Sequence, residues 1–386
     1  MMNIYTKERE EQEKFTTNKP KTRDTNIDLL RIIAMLMVIT IHCLGNGNLL
    51  GNSKIPTYNL VGIRILDTLS LVAVPTFFII SGYYMSSYKI NLKKIFLLYG
   101  RVVFYSLLLY FIGTLINIKT NKFSAFFPIS SGSYWFVNAY FILYMFSPIL
   151  NMWLNILSKN QFKFMLILWI FLLSIVRMTI NPNELLSAKI LPVFMMYSIG
   201  FYMKKFVSIK KDKYYIIKYL ILTFILIYCY TLTTIFNKIF IYDDNLHPIF
   251  YRLLTNFREF YNLIVIAMTV LLFMKFKTIK INSKFLTKLI TIISPSVFSI
   301  YLIHYNFNFR FIIWEKFNAI KYADSWFMIL YIVFIIFAVF ILCLIIDLVR
   351  RGLYKLITHI SLIKRFIMFI NKKIENLNLK INNYIS

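Results

Sequence analysis

The sequence predicts an all-α, polytopic membrane protein with about ten transmembrane helices and both termini in the cytoplasm. Three observations predict this fold class. The 386-residue chain is 59% hydrophobic and only 16% charged, whereas a soluble domain is typically about 45–50% apolar and about 25% charged. The apolar residues are gathered into ten long runs. The cations lie mostly in alternate connections between these runs, which orients the chain in a membrane.

A helix of about 20 residues crosses a bilayer, and each apolar run is close to this length. The runs occupy residues 27–45, 62–85, 97–118, 134–153, 164–181, 190–203, 214–236, 259–274, 288–306 and 325–349. The two shortest runs need flanking polar positions or a locally thinner membrane. Residues 1–26 lack apolar periodicity and predict a flexible, charged cytoplasmic tail. The predicted membrane domain is therefore 27–349.

The positive charges predict which side of the membrane each connection faces. With the N-terminus inside, roughly 31 of the 44 Lys and Arg residues fall on the cytoplasmic side and about 12 outside. The formal net charge of +28 is therefore explained by topology and contact with anionic lipids, and nucleic acid is not expected as a partner. The predicted location is the cell membrane.

The C-terminal segment 350–386 predicts a basic amphipathic helix on the inner membrane surface. Its apolar residues recur at steps of three and four, and its Lys and Arg residues mostly occupy the opposite face. A helix that binds a protein partner is the alternative interpretation.

Three ionisable residues lie in the first apolar run, although a charge near the bilayer centre costs between about 2.5 and 17 kcal/mol. They are Asp28, Arg31 and His42. The eleven-residue step from Arg31 to His42 corresponds to about three helical turns plus 20°, so both side chains point the same way, about 16 Å apart along the axis. This spacing predicts a site that runs through the membrane. In the alternative interpretation Arg31 only snorkels to lipid headgroups and His42 is a packing residue.

The second run ends in the motif VPTFFIISGYYM (74–85). Pro75 and the Ser-Gly pair at 81–82 are expected to bend the helix or to let a neighbouring helix approach closely.

The third run begins with cations that have two possible uses. Lys93 and Lys94 open the run, and Arg101 follows about two turns later. Such residues are usually plain inside-positive flanks. They are also suited to holding the phosphates of a cofactor that enters from the cytoplasm.

The fourth and ninth runs supply further candidate side chains. Trp135 and Tyr140 are typical of an aromatic belt at a membrane interface, and a Trp above an outward-facing cavity would also stack on a sugar. Counted from the inner boundaries, His42 and His304 both lie about 15 residues, roughly 23 Å, from the inner face. Two histidines at matching depth are expected to share one cavity, unless a loop carbonyl simply caps His304.

Taken in chain order, these motifs resemble the acyltransferase-3 family of integral membrane acyltransferases. The resemblance rests on Asp28-Leu29-Leu30-Arg31 separated by ten residues from His42, and on the FFIISGYY, WF…AYFILY…P and IYLIH runs. Together they span residues 28–304. The resemblance implies about ten spans, cytoplasmic termini, and transfer of an acyl group, usually acetyl from acetyl-coenzyme A, to a hydroxyl of an extracytoplasmic glycan.

The resemblance also implies roles for individual residues. The catalytic residues carried over are Arg31 and His42, with weaker support for Asp28, Trp135, Tyr140 and His304. We expect His42 to be the general base, with a covalent acyl-imidazole as the alternative. His304 or Tyr140 would orient His42 or the acceptor, and Trp135 would contact the sugar.

Coenzyme binding is where the chain departs from the family pattern. Several relatives show two arginines a turn apart after the second span, whereas Lys93, Lys94 and Arg101 stand here. We expect these three cations, together with Arg31, to hold the coenzyme phosphates. No metal is expected.

The sequence therefore predicts an O-acetyltransferase of a bacterial cell-surface polysaccharide, with a glycan acceptor and membrane lipids as partners. The rival function is a transporter or flippase of a lipid-linked glycan, which would also need polar groups along a membrane pathway. Transporters often contain internal repeats. The Arg31–His42 pattern has no second copy in this sequence, which favours the enzyme.

Overall fold

The computed structural model describes residues 23–85, 91–176, 189–242 and 246–385, and within these ranges the regular structure is helical, without β-strands. The α-helices are α1 (Thr25–Asn46), α2 (Thr57–Ser70), α3 (Ala73–Tyr84), α4 (Leu92–Leu115), α5 (Lys122–Phe126), α6 (Trp135–Ile156), α7 (Lys159–Ile170), α8 (Ile190–Phe206), α9 (Tyr215–Ile239), α10 (Leu246–Phe257), α11 (Leu263–Thr278), α12 (Lys284–Ile293), α13 (Val297–His304), α14 (Ile312–Phe317), α15 (Met328–Thr358) and α16 (Ser361–Ile385). A π-helical turn, Phe171–Ile175, follows α7. Most of the predicted N-terminal tail, residues 1–22, lies outside the described residues.

All ten predicted apolar runs contain helix, and the all-α, polytopic fold class is confirmed. Within the described residues, seven helical segments are long and apolar enough to cross a membrane: Thr25–Asn46, Thr57–Tyr84, Leu92–Leu115, Trp135–Ile156, Tyr215–Ile239, Lys284–His304 and Met328–Thr358. The other three runs correspond to α7, α8 and α11, which have 12, 17 and 16 residues. Residues 177–181, at the end of the fifth predicted run, are outside the described residues.

Proline interrupts two of the spans. The second span is divided into α2 and α3, and Pro75 is the third residue of α3. A proline ring clashes with the carbonyl four residues earlier, here that of Leu71, so the helix breaks at this point. The predicted bend at Pro75 is confirmed. In the ninth span a 3₁₀ turn, Ser294–Ser296, contains Pro295 and separates α12 from α13.

Helices α3 and α8 cross with their backbones in contact. A Cβ atom added to Gly82 would lie 1.8 Å from the carbonyl oxygen of Tyr197, and one added to Gly200 would lie 2.1 Å from that of Ile79. Only glycine fits at either position, as at the small-residue contacts typical of membrane helices. The close approach predicted for Gly82 is confirmed, and it holds α3 in place beside α1.

The helix ends are tied together at both ends of the bundle. At the end that we call the inner end, Lys277 Nζ lies 2.5 Å from Asp24 Oδ2 and 2.9 Å from the Tyr84 hydroxyl, which donates to the same carboxylate. At the opposite, outer end, Asn59 donates to the backbone carbonyl of Ala323 at 2.7 Å. The inner end is the predicted cytoplasmic side.

The last span is longer than predicted. Helix α15 continues to Thr358, past the predicted end at residue 349. Arg350 Nε donates to Asp347 at 2.9 Å, and Arg351 donates to the carbonyl of Ile292 at 2.8 Å, so both cations are accommodated without ending the helix. The amphipathic helix of the tail is α16, and its Asn378 accepts from the backbone of Leu92 at the start of α4. Its attachment to the membrane surface stays a prediction.

Candidate active site

Two histidines from different spans meet toward the outer end of the bundle. His42 lies near the end of α1, and His304 is the last residue of α13. His42 Nδ1 is 3.0 Å from His304 Nε2, and the ring centres are 5.2 Å apart. The two rings meet, as their matching depth predicted, but neither histidine is among the residues that line the cavity described below, and their chemical roles stay predictions.

Hydrogen bonding assigns the protons of this pair. His304 Nδ1 lies 2.6 Å from the carbonyl oxygen of Ile300, one turn back in α13. A carbonyl oxygen only accepts, so His304 Nδ1 carries a hydrogen, and Nε2 of the neutral ring is then an acceptor. His42 Nδ1 therefore donates to His304. In a neutral His42 ring this leaves the lone pair on Nε2, the nitrogen that the pair does not use.

The two rings differ in access. His304 is fully buried, with 0% of its surface exposed, whereas His42 is partly exposed. The ring of Tyr305 stacks on His42 with centres 4.1 Å apart. The ring centre of Tyr301 lies 6.4 Å from that of His42 and 6.0 Å from that of His304. A substrate can therefore reach His42, while His304 stands behind it.

Arg31 is held at the inner part of α1 by a buried carboxylate. Its Nη1 donates to Asp28 Oδ1 at 2.7 Å, and Arg23 pairs with the other oxygen of the same carboxylate. The Asp28 side chain is 4% exposed and that of Arg31 is 35% exposed. Arg23 and Arg31 share the one carboxylate of Asp28, so the three side chains together have a net positive charge. The bond to Asp28 fixes the orientation of the Arg31 guanidinium.

A cavity of about 210 Å³ extends from Arg31 to Tyr301. Its lining is mostly apolar and aromatic, and it comprises Arg31, Met35, Phe77, Ile80, Ser81, Leu98, Phe136, Tyr140, Ser294, Pro295, Val297, Phe298 and Tyr301. Ligand pockets for drug-sized molecules are typically about 300–1,000 Å³. This space is smaller and suits one slender apolar chain, which would run from the Arg31 cation toward the histidine pair.

The predicted coenzyme-binding cations occupy different positions. The Arg101 guanidinium lies 3.5 Å from the carbonyl of Pro295 and over the ring of Phe298, two residues that line the cavity. Lys93 and Lys94 are exposed at the start of α4 and are not among the lining residues. The structure thus brings Arg101 to the cavity but not the two lysines.

The comparisons with known proteins identify the family. The family model described as an acyltransferase domain, Acyl_transf_3, matches residues 24–348. The chain belongs to the acyltransferase-3 family. No curated protein and no solved structure was found to match it. The matched region begins beside Asp28 and extends nearly to the end of the last span, so the protein is a multi-pass membrane acyltransferase.

The two aromatic site predictions for this acyltransferase have different outcomes in the geometry. Tyr140 lines the cavity, and its hydroxyl lies 3.8 Å from the sulfur of Met85. Trp135 is not among the lining residues. Its ring stacks on Phe260 with centres 6.0 Å apart, and Lys189 Nζ lies 4.9 Å from its centre. Trp135 is only partly exposed and has these neighbours over its ring, so its contact with a sugar stays a prediction.

Sequence reasoning missed several residues of the acyltransferase site. Tyr301 and Tyr305 surround the histidines, and Asn306 fixes the following loop by donating to the Tyr134 hydroxyl at 2.8 Å. Tyr301 could have been found, since a residue three positions before His304 lies on the same helix face. Tyr305 and Asn306 lie beyond the end of α13, where no helical periodicity applies.

No group of three or more His, Cys, Asp or Glu side chains arranged to hold a metal ion occurs in the described part of the acyltransferase.

Proposed function

We propose that this protein is an O-acetyltransferase of the cell membrane that transfers acetyl from acetyl-coenzyme A to a hydroxyl of a bacterial cell-surface polysaccharide. The observation that carries the proposal is the unprotonated Nε2 of His42. The bond from His42 Nδ1 to His304 fixes the orientation of the ring. Tyr301, which lines the cavity that begins at Arg31, has its ring centre 6.4 Å from that of His42. An imidazole is suited to this work because its ordinary pKa lies near neutrality.

The acceptor step starts at His42 Nε2. The sugar hydroxyl gives its proton to this nitrogen as its oxygen attacks the thioester carbonyl carbon. The imidazolium that forms keeps its Nδ1–H bond to His304. As the C–S bond breaks, the coenzyme thiolate leaves and takes the proton from Nε2. The products are the O-acetyl ester and coenzyme A, and the enzyme returns to its starting protonation state.

His304 acts through His42 and is a positioning residue. Its bond to the Ile300 carbonyl fixes its own tautomer, and its Nε2 in turn fixes the tautomer and orientation of His42. A fully buried ring cannot itself meet an acceptor. The covalent acyl-imidazole is the second candidate mechanism, since the same lone pair could attack the thioester.

The donor would enter from the inner end. Arg31 is a planar cation at the mouth of the cavity, and Arg101 lies beside its wall, so both are suited to the coenzyme phosphates. The slender pantetheine arm would occupy the cavity and bring the thioester toward Tyr301 and the histidines. Lys93 and Lys94, which are exposed nearby on α4, would add only long-range attraction.

The proposal is tested with membrane vesicles that contain the protein. Radiolabelled acetyl-coenzyme A and purified, deacetylated surface glycan are added to them. We expect label in the glycan and an equal amount of free coenzyme A, and neither product with His42→Ala. Mass spectrometry then identifies the acyl group and the sugar. Movement of a lipid-linked glycan across the vesicle without release of coenzyme A would favour the flippase instead.

A further inference from the structure

We propose that the guanidinium of Arg310 binds an oxyanion, a carboxylate or phosphate, carried by the acceptor glycan close to the hydroxyl that is acylated. This inference rests on the proposed function and adds the chemical class of the acceptor. It follows from the place of Arg310 in the outer loop, from the absence of a charged partner for it among the described residues, and from its distance to His42.

The loop after α13 holds Arg310 on a fixed backbone. Asn306 is 1% exposed, and its carbonyl accepts from the backbone N–H of both Phe309 and Arg310, at 3.0 Å and 2.8 Å. The side chain of Asn306 is bonded to Tyr134. The carbonyl of Arg310 in turn lies 3.5 Å from the amide nitrogen of Asn46, near the end of the helix that carries His42. The cation therefore starts from a preorganised position.

Three aromatic rings surround the charge of Arg310, and no carboxylate of the described residues pairs with it. Its guanidinium carbon lies 5.6 Å from the ring centre of Tyr305, 5.2 Å from that of Phe307 and 5.0 Å from that of Phe311. Its Nε is buried and has no hydrogen-bond partner in the described part of the chain. Phe307 and Phe311 are themselves exposed, so this cluster lies at the outer surface.

Three other half-buried arginines of the bundle each have a carboxylate partner, while Arg101 and Arg351 donate to backbone carbonyls instead. Arg31 pairs with Asp28, Arg258 with Asp67 and Arg350 with Asp347. Arg310 makes no ion pair with any described residue. An arginine presents several donors in a planar fork that matches a carboxylate or phosphate, and a group partly removed from water gains most from such a partner.

The distance to His42 indicates which molecule would supply the partner. The ring centres of Tyr305 and His42 are 4.1 Å apart, and the guanidinium carbon is 5.6 Å from the Tyr305 centre. The guanidinium is thus at most the sum of these two lengths, about 10 Å, from the His42 ring. One sugar residue spans this gap, with its hydroxyl at His42 and an acidic group at Arg310.

The test compares Arg310→Gln, Arg310→Lys and the control Arg252→Gln, an outer arginine whose Nε bonds within its own helix, to Pro248. The glycan is used native, after amidation of its carboxylates, and after phosphatase treatment. We expect Arg310→Gln to raise the KM for native glycan about ten- to hundredfold, with Arg310→Lys in between, because a hydrogen bond to a charged group contributes that much. The KM for acetyl-coenzyme A and the Arg252→Gln enzyme should be unchanged.

Removing the acceptor's charge should reproduce the effect of removing the arginine. With the wild-type enzyme, either amidation or phosphatase treatment should raise KM as much as Arg310→Gln does, and it should not affect the variant further. The treatment that acts identifies the oxyanion. If Arg310→Gln fails to accumulate in the membrane, the treated glycans with the wild-type enzyme still test whether the acceptor's charge is recognised.

Three results would overturn the inference, and a fourth would refute the proposed function on which it rests. Equal KM values for Arg310→Gln and Arg252→Gln would overturn it, and so would wild-type activity that ignores both glycan treatments. An acetylated sugar in wild-type cells with no acidic group on it or its neighbour would do the same. If the wild-type enzyme releases no coenzyme A with any of the glycans, the proposed function itself is refuted.

Discussion

Two polar pairs in this bundle, each with one buried and one partly exposed member, differ in whether a hydrogen-bonding atom is left over. Arg258, which follows α10, donates two hydrogen bonds of 3.0 and 3.1 Å to the carboxylate of Asp67 in α2. Both carboxylate oxygens are therefore used by the guanidinium. His42 and His304 share one bond, and the second nitrogen of His304 is taken by a carbonyl. Only Nε2 of His42 is left.

This difference separates a structural pair from a chemical one. A closed ion pair inside a membrane protein joins elements and gains nothing from a ligand, while breaking it leaves an uncompensated charge. A chain of donors that ends in a free lone pair is suited to proton transfer. Substitutions in the first pair should lower the amount of folded protein, and substitutions in the second should lower turnover by the protein that remains.

The largest effect is expected for His42→Ala. General-base catalysis typically contributes about 10²–10⁴-fold, so transfer of acetyl to glycan should fall by that factor. The amount of protein in the membrane should stay close to wild type, because the ring is partly exposed. The measurement is label transfer per milligram of membrane-inserted protein. Retention of more than a few per cent of the activity would remove His42 as the base.

His304 should be nearly as important as His42, although it does not touch the substrate. We expect His304→Ala to lose nearly as much activity as His42→Ala, and the double variant to lose little more, because groups that act as a unit are non-additive.

His304→Gln offers a matched control for this positioning role. Its amide oxygen can accept from His42 Nδ1, so it should restore part of the rate and shift the pH profile of kcat. Independent, multiplying losses in the double variant would show that the two rings work separately.

The Asp67–Arg258 pair should behave in the opposite way. Arg258→Gln leaves the buried Asp67 without its partner and should destabilise the folded state by about 3 kcal/mol, near the low end for broken buried pairs. The double variant Asp67→Asn with Arg258→Gln should recover much of this loss. Unfolding in detergent measures the stability, and activity per folded molecule should be unchanged. A fall in specific activity with full stability would contradict the structural assignment.

Arg31 sharpens the comparison, because it has a carboxylate partner and also faces the cavity. Arg31→Ala should raise the KM for acetyl-coenzyme A about tenfold or more, and Arg31→Lys should raise it less, since lysine keeps the charge but not the planar fork. Lys93→Ala with Lys94→Ala is the matched control and should have little effect. A larger effect from the lysines would move the coenzyme site to the start of α4.

The smallest effect is expected for Asp24→Asn at the inner end. Burial alone would raise the pKa of this carboxyl, but hydrogen bonds from Lys277 and Tyr84 outweigh it and hold the pKa below its ordinary value. A lowered folded-state pKa gives stability that is present above the unfolded value of about 3.9 and is lost as pH falls through the folded value. Asp24→Asn should therefore lower Tm slightly at neutral pH. In acid the two proteins should converge, and a constant difference in Tm would exclude the carboxylate as its cause.

The sequence was most informative where one helix decided the geometry. The shared face of Arg31 and His42 follows from helical periodicity, and the break at Pro75 follows from the chemistry of proline. The meeting of His42 with His304 could be expected from depth alone. The stack of Tyr305 on His42, the carboxylate pair of Arg258 and the neighbours of Trp135 could not, because each depends on packing between elements far apart in the chain.

The hydrogen bond from His304 to the carbonyl of Ile300 has a consequence for proton movement through the histidine pair. A proton wire across a membrane needs groups that can each take up a proton and pass it on, and a backbone carbonyl accepts a hydrogen bond without doing so. Protons that reach His42 from the outer side therefore have no onward path through His304. Proton transfer at His42 therefore does not by itself open a route for protons through His304.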